Sequence, residues 1–130
     1  MLSTTPITTT ITGKRLVVGD GDRIENVKPT TNTAYKRGDL IAISAANVAT
    51  HPAITSNVVG AWQAICAVDM TAEQATAHVN AGLEMPIYVQ GAFDIAVVTV
   101  RGTALTTGQY DAVRAQAQAN KIELRKVVGG

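Results

Sequence analysis

The sequence predicts a small single domain of the α+β class, mainly antiparallel β, with one helix in its C-terminal half. Many short apolar segments are separated by Gly, Pro, Asn and Asp, a pattern typical of strands joined by turns. One segment near residue 110 has helical apolar spacing behind a helix-start signal. Strands and helices do not alternate along the chain, so a parallel βαβ sheet is not indicated. The 130 residues suffice for one domain.

The predicted elements follow from apolar alternation and turn residues. We expect extended segments at 14–18, 23–27, 40–43, 58–68, 85–93, 95–100 and 122–125, a turn at 19–22, and loops at 29–33 and 47–56, the last with room for a brief extended piece. The segment 85–93 is the clearest strand, since Ile87 and Val89 fall on one face and Tyr88 on the other. Gly91 indicates a bulge or a close backbone approach in this strand.

The helix near residue 110 has recognisable ends. Thr106 and Gln109 fit a capping box, with Thr106 as the N-cap. Val113 and Ala117 lie one turn apart on the same face, which predicts that this face packs on the core. Asn120 is expected to end the helix in the left-handed conformation.

Residues 72–79 carry the signal of a second helix. Thr71 and Gln74 resemble a second capping box just before this segment. The segment is rich in Ala and Thr, and Gly82 follows soon after it, so its helical signal is weaker than that of the later helix.

The composition excludes several classes of function. The net charge is +1, and no basic run exceeds Lys14–Arg15 or Lys36–Arg37, so nucleic acid is not an expected partner. No apolar run approaches the length of a membrane span, and the first residues do not resemble a signal peptide. Only 4% of the residues are aromatic, so a core of small aliphatic side chains favours help from subunit contacts.

Reactive side chains are few. Cys66 is the single cysteine and lies in an apolar run, so we expect a plain buried thiol. His51 and His78 stand in no catalytic or metal-binding pattern and are expected at the surface. These residues predict no catalytic site, no metal site and no cofactor.

Two short motifs have ordinary explanations. The turn at 19–22 carries Asp20 and Asp22 but lacks the further ligands of a calcium loop, which favours a solvent-facing turn. Arg37–Gly38–Asp39 spells the integrin-recognition tripeptide, yet Gly-Asp before an apolar strand is common turn chemistry. The motifs of trimeric β-rich nucleotide hydrolases of this size are not found.

The N-terminal stretch is of low complexity and divides the chain into an arm, residues 1–12, and a domain, residues 13–130. Thr favours extended backbone, and Pro6 disfavours helix. Composition alone leaves two interpretations open, a disordered tail, which is the usual state of a terminus, or an arm that orders as an added strand on a partner. Ile7 and Ile11 share one face of an extended chain, which suits docking.

From Tyr35 onward, the order of segments resembles the lambda-type head decoration, or head-stabilising, proteins of tailed bacteriophages. The segments that carry the resemblance are YKRGDLIAI at 35–43, residues 61–69, MPIYVQGAFD at 85–94, the helix at 105–119 and the closing IELR at 122–125. The family has Gly-Asp-Leu-Val, Gly-Ile-Ala-x-x-Asp and Val-Pro-Val-Tyr-Val-x-Gly-x-Phe-Asn strands in this order. Asp94 replaces the commoner Asn, Asn120–Lys121 replaces the usual Gly, and residues 13–34 have no clear counterpart.

The resemblance implies a non-enzymatic virion protein, made in the host cytoplasm, that binds the major capsid protein on the outer surface of an expanded head. It implies a homotrimer at local three-fold positions that stabilises the shell against the pressure of packaged DNA. It also favours the docking arm over the idle tail. The implied capsid-binding residues are Thr4, Thr5, Pro6, Ile7, Thr8, Thr9, Thr10, Ile11 and Thr12.

Two other functions compete with this expectation. A different phage structural module, such as a tail, baseplate or surface adhesion component, would keep the β-rich trimer and lose the shell as partner. A small hydrolase has only the chain length in its favour.

Overall fold

The computed structural model describes residues 15–126. The elements in chain order are β1 (Arg23–Val27), β2 (Leu40–Ile43), β3 (Ala49–Thr50), β4 (Ile54–Thr55), β5 (Val58–Val59), β6 (Ala64–Cys66), α1 (Ala72–Ala81), β7 (Met85–Asp94), β8 (Thr99–Val100), β9 (Thr103–Ala104), α2 (Thr107–Gln118) and β10 (Ile122–Arg125). Most strand pairs are antiparallel, so the predicted α+β class with a helix in the C-terminal half is confirmed.

The main sheet has six strands and is organised around β7. Its order is β1-β7-β6-β2-β3, and β10 pairs with β7 outside this path. The β10–β7 pair is parallel, whereas β1, β6 and β2 join through antiparallel ladders. Two small hairpins, β4–β5 and β8–β9, stand apart from the main sheet.

Gly91 divides β7 into two halves with different partners. The first half pairs with β1 and β6, and the second half pairs with β10 and bridges to Val17. Gly91 has φ +138°, and a Cβ added there would lie 3.1 Å from the Asp22 Cα and 3.1 Å from the Phe93 ring. Only glycine adopts this φ easily, so the predicted close backbone approach is confirmed.

Lys28 brings the two ends of the sheet together. Its N–H donates to the Asn47 carbonyl at 3.0 Å, and its carbonyl accepts from the Ala49 N–H at 2.8 Å. Because Lys28 directly follows β1 and Ala49 begins β3, these bonds join the first and last strands of the sheet path. The sheet therefore curls toward a small barrel, which is closed at this one end of β1.

The curled sheet separates two groups of buried side chains. The α2 core packs α2 on the sheet, and its members are Leu16, Leu40, Val59, Trp62, Ile65, Tyr88, Phe93, Ile95, Val98, Val100, Leu105, Val113, Ala117, Ile122 and Leu124. The α1 core packs α1 on the other face, and its members are Val27, Tyr35, Ile41, Ala49, Ala64, Cys66, Met70, Ala75, Met85 and Ile87. Tyr88 and Ile87 fall in different cores, as their alternation predicts.

The predicted capping residues begin both helices. In α2 the Gln109 side chain accepts from the Thr106 N–H at 2.9 Å. In α1 the Thr71 hydroxyl and the Gln74 side chain bond each other's backbone N–H groups reciprocally. Gly82, with φ +71°, ends α1 in the left-handed conformation.

The predicted end of α2 was wrong in its geometry. Lys121, with φ +60°, is the left-handed residue, and Asn120 is not. The Asn120 side chain instead donates to the Trp62 carbonyl at 2.7 Å and to the Gln116 carbonyl at 3.1 Å. The turn therefore moves one residue on, and Asn120 joins the helix to the segment before β6.

Three predicted extended segments were only partly right. The segment 58–68 is interrupted, since β5 pairs with β4 and β6 pairs with β2 and β7. Residues 95–97 form a turn, in which the Asp94 carboxylate accepts from the Ala96 N–H at 2.9 Å, so only Thr99–Val100 is a strand. Of the segment 14–18, Val17 alone makes a bridge, and Lys14 lies outside the described residues.

Candidate functional site

The predicted capsid-binding residues, 4–12, lie outside the described residues. The described residues begin shortly after this predicted arm, at Arg15. We call residues 15–20 the arm root, and its geometry decides what a docked arm would be attached to.

The arm root is fixed to the body at Leu16. This side chain is only 2% exposed and belongs to the α2 core. The Leu16 carbonyl accepts from the Asp94 N–H at 2.8 Å, and the Val18 N–H donates to the Ala92 carbonyl at 3.0 Å. Burial of a leucine contributes about 1.5–3 kcal/mol, so Leu16 fixes this segment to the second half of β7.

The surface around the arm root is open. A depression of about 410 Å³ is lined by Arg15, Val17, Val18, Gly19 and Asp20. Asp20 and Asp22 are exposed, as the turn at 19–22 predicts. The described part of this surface therefore combines the buried Leu16 with an open depression beside it.

His51 is not a surface residue, and the prediction for it was wrong. Its side chain is 6% exposed, and the ring packs against the Tyr35 ring, tilted by 32° with centroids 5.1 Å apart. The Nε2 atom lies 2.9 Å from the Ala34 carbonyl oxygen, which can only accept, so Nε2 carries the hydrogen. The Nδ1 atom has no hydrogen-bond partner among the described residues and lies 4.0 Å from an Asp39 carboxylate oxygen.

Asp39 organises three loops rather than a recognition motif. Its carboxylate is 1% exposed and accepts from the Thr99 hydroxyl, from the Gly102 N–H at 2.8 Å and from the Lys36 N–H at 2.9 Å. A carboxylate used in this way is not displayed to a receptor. The Arg37–Gly38–Asp39 tripeptide is therefore turn chemistry, as the sequence favours.

Cys66 is the buried thiol that the sequence predicts. It is fully buried in the α1 core, and its Sγ donates to the Val68 carbonyl at 3.0 Å. Burial away from water raises the pKa of the Cys66 thiol to about 12. A thiol protonated to this extent is a weak nucleophile.

His78 has a local role on α1. Its Nδ1 lies 2.9 Å from the Gln74 carbonyl, one turn earlier in the helix. The two histidines therefore stand on different elements, and each ring bonds a backbone carbonyl. Within residues 15–126, no group of three His, Cys, Asp or Glu side chains has the arrangement of a metal site.

Sequence reasoning missed a row of polar side chains along α2. Gln109 donates to the Ser56 carbonyl at 3.0 Å, and Gln116 donates to the Val59 carbonyl at 2.8 Å. Both side chains therefore hold the β4–β5 hairpin against α2. Gln116 also accepts from the Trp62 indole. Their spacing of seven residues, with Asn120 four further on, places them on one helix face and is the signal that would have found them.

The hydrogen bonds of Gln109 and Gln116 hold the apolar tip of the β4–β5 hairpin in place. Ile54 and Val58 are 43% and 66% exposed at the end of the β4–β5 hairpin. Ile24, Val79 and Leu83 are the other large aliphatic side chains exposed in the described part of the chain.

No family model matches the sequence, and no curated protein matches it either. None of the helices within residues 15–126 combines the length and the apolar character needed to cross a bilayer.

Proposed function

We propose that this chain is a decoration protein of a tailed-phage head. It binds the major capsid protein on the outer surface of an expanded shell as a homotrimer. Residues 4–12 supply the capsid contact, and the body bridges neighbouring capsid subunits. The role is mechanical and involves no catalytic step.

The arm root is the observation that carries the proposal. A segment that docks on a shell transmits force only if its other end is held in a folded body. Leu16 is buried, and the backbone bonds of Leu16 and Val18 join it to the second half of β7. The sequence places residues 4–12 just before this anchor. Nine extended residues reach about 30 Å, enough to cross onto a neighbouring protein.

The elements that carry the family resemblance support the proposal as one connected unit. The segments 35–43, 61–69 and 85–94 contribute β2, β6 and β7, which are hydrogen-bonded neighbours in the sheet. The later segments contribute α2 and β10, and β10 pairs with β7. The quoted segments thus form a continuous body around the strand that holds the arm root.

The physical gain comes from several weak contacts acting together. A shell filled with DNA is loaded at the joints between its subunits. Three arms on one trimer raise each other's effective concentration, so modest single-arm affinities add up to firm attachment. Ile7 and Ile11 supply apolar anchors, and the backbone of Thr8 to Thr10 supplies the hydrogen bonds of an added strand.

Binding to heads tests the proposal directly. Purified full-length chain is mixed with expanded, undecorated, DNA-filled heads built of the cognate major capsid protein, and bound copies are counted after sedimentation of the heads. We expect saturable binding, and we expect decorated heads to retain their DNA at higher temperature than undecorated ones. Deletion of residues 1–12 should abolish binding while the melting temperature of the chain stays the same.

Two double variants, each with two added charges, test which face of the arm binds the head. Ile7→Asp with Ile11→Asp removes both apolar anchors and should weaken head binding at least about 100-fold, since each buried isoleucine contributes about 1.5–3 kcal/mol. Thr8→Asp with Thr10→Asp adds the same charge on the opposite face and should weaken binding less. Equal effects of the two variants, or a chain that ignores expanded heads and binds tails or baseplates instead, would overturn the proposal.

A further inference from the structure

One edge of the main sheet is open along β1. This strand ends the sheet path and pairs with β7 alone. Residues 23–26 are exposed, and Ile24 is 52% exposed. Within residues 15–126, their backbone makes no hydrogen bond outside the pairing with β7. Such an edge presents N–H and C=O groups that another strand can bond.

The outward groups belong to Ile24 and Asn26. Along a strand, successive residues direct their backbone groups to opposite sides. Lys28 directs its N–H and C=O toward Asn47 and Ala49, away from β7. Counting back by two, Asn26 and Ile24 point the same way. Pro86, the partner of Asn26 on β7, has no N–H to give, which agrees with this assignment.

Arg23 and Glu25 carry opposite charges on one face of β1, and the side chain of Ile24, between them in sequence, lies on the other face. Arg23 Nη2 lies 2.6 Å from Glu25 Oε2, and the side chains are 62% and 49% exposed. An exposed pair of this kind contributes little to the stability of its own chain. Both groups therefore remain available to a facing strand that carries the opposite charge at each position.

We propose that β1 pairs antiparallel with β1 of a second copy of this chain about a two-fold axis at Ile24. In this register the Ile24 N–H and C=O of each copy bond those of the other. Arg23 of each copy then faces Glu25 of the other, in the pairs where cross-strand side chains come closest. The two exposed Ile24 side chains meet at the axis.

The charges select this register over its neighbour. Moving the axis by one residue to Glu25 would place two glutamates opposite each other, which is destabilising. The outward backbone groups could bond in both registers, because an axis at Glu25 would pair Ile24 of one copy with Asn26 of the other. The charge pattern therefore selects the axis at Ile24.

The contact is small and goes beyond the proposed function. Pairing of a few residues buries far less than the roughly 1,200 Å² of a stable interface, so a weak, concentration-dependent association is expected. It uses residues outside 4–12 and links two bodies, whether these are single copies or members of different trimers. Deletion of residues 1–12 should leave it unchanged, which separates its test from that of head binding.

The test is sedimentation equilibrium of the full chain up to about 1 mM, where contacts of about 4 kcal/mol become visible. The wild type should gain mass with concentration above its basal species. Arg23→Glu and Glu25→Arg, each alone, place like charges opposite each other and should weaken association at least about tenfold. An equimolar mixture of the two single variants should associate again, and so should the double variant, because both arrangements restore opposite charges.

The pair on β10 is a matched control. Glu123 and Arg125 have the same spacing, and their side chains lie 3.0 Å apart. The backbone between them is already occupied, since the Arg114 guanidinium donates to the Leu124 carbonyl at 3.1 Å. Glu123→Arg and Arg125→Glu should leave self-association unchanged.

The outcomes decide the matter. A wild type whose mass is independent of concentration overturns the proposal. Single β1 variants that associate like the wild type, or a mixture that fails to recover, also overturn it. Circular dichroism and melting temperature identify any variant that fails to fold, and Ile24→Asp provides a second disruption at the axis that leaves both charges in place.

Discussion

The Trp62 indole N–H donates to the Gln116 side-chain oxygen at 2.8 Å, across 54 residues of chain. The Gln116 amide donates in turn to the Val59 carbonyl at 2.8 Å. Trp62 is 1% exposed in the α2 core. One glutamine thus satisfies a buried indole and holds the β4–β5 hairpin on α2, so packing and loop position depend on the same side chain.

Replacement of Gln116 by Leu should therefore destabilise the chain. The substitution leaves the buried Trp62 N–H and the Val59 carbonyl without partners, at a cost of about 1–3 kcal/mol for each buried group that stays unpaired. Urea unfolding followed by Trp62 fluorescence measures the loss. Gln118→Leu, on the exposed side of the same helix, is the control and should stay within about 0.5 kcal/mol of the wild type.

Asp39→Asn should lower stability by about 1–3 kcal/mol. The two oxygens of the Asp39 carboxylate accept from the Thr99 hydroxyl and from the N–H groups of Lys36 and Gly102. An Asn side chain has only one acceptor oxygen, so its NH₂ group would face at least one of these donors without a hydrogen bond. Thermal melting measures the change. Asp20→Asn, in the exposed turn, should be nearly neutral, and equal effects at the two positions would contradict the structural role of Asp39.

The Cys66 thiol should react only in unfolded molecules. Burial raises its pKa from 9.0 to about 12, so at pH 8 the thiolate is about 1000-fold rarer than in an unfolded chain. Labelling with a thiol reagent should follow the unfolded fraction as urea is added. Rapid labelling of the native chain would contradict this burial.

The same group makes stability depend on alkaline pH. Because the folded pKa lies above the unfolded one, the thiol's contribution is fully present below pH 9.0 and is lost as the pH rises toward about 12. Relative to Cys66→Ala, the wild type should lose about 1.4 kcal/mol per pH unit above pH 9. Urea unfolding of both chains at pH 8 and pH 10.5 gives the difference, and parallel curves would refute the prediction.

Gly91→Ala should destabilise the chain more than Gly82→Ala. Both glycines have positive φ, but a Cβ at position 82 meets nothing within 4 Å, whereas a Cβ at position 91 lies 3.1 Å from Asp22 and Phe93. The expected losses are about 1 kcal/mol at Gly82, from backbone conformation alone, and about 1–3 kcal/mol of strain plus steric conflict at Gly91. Melting temperatures of the two variants provide the comparison.

Local signals predicted local structure well. The apolar run 40–43, the alternation at 122–125 and both capping boxes depend on neighbouring residues, and each has its counterpart in β2, β10, α1 and α2. Which strands pair with each other was harder to predict from the sequence. Residues 58–68 look continuous, yet the chain changes sheets within them, because the two ends pair with different strands.

Predictions for single polar residues failed where a distant group decided the outcome. Asn120 has a suitable type for a left-handed cap, but the Trp62 carbonyl claims its side chain. His51 looks exposed beside Pro52, but Tyr35 and the Ala34 carbonyl enclose its ring. The arm residues 4–12 fall outside the described part of the chain, so their capsid contact stays a prediction from sequence and resemblance.

The closure of the sheet at Lys28 limits how far any edge pairing can spread. The backbone of Lys28 is already bonded to Asn47 and Ala49. The edge of β1 that is free among the described residues is therefore only a few residues long and ends at Lys28. Amyloid growth needs a long, flat template that is renewed with each added molecule. Because the sheet is closed at Lys28, β1 offers no such template. Two copies paired along β1 would occupy each other's free edge and would leave none for a third copy.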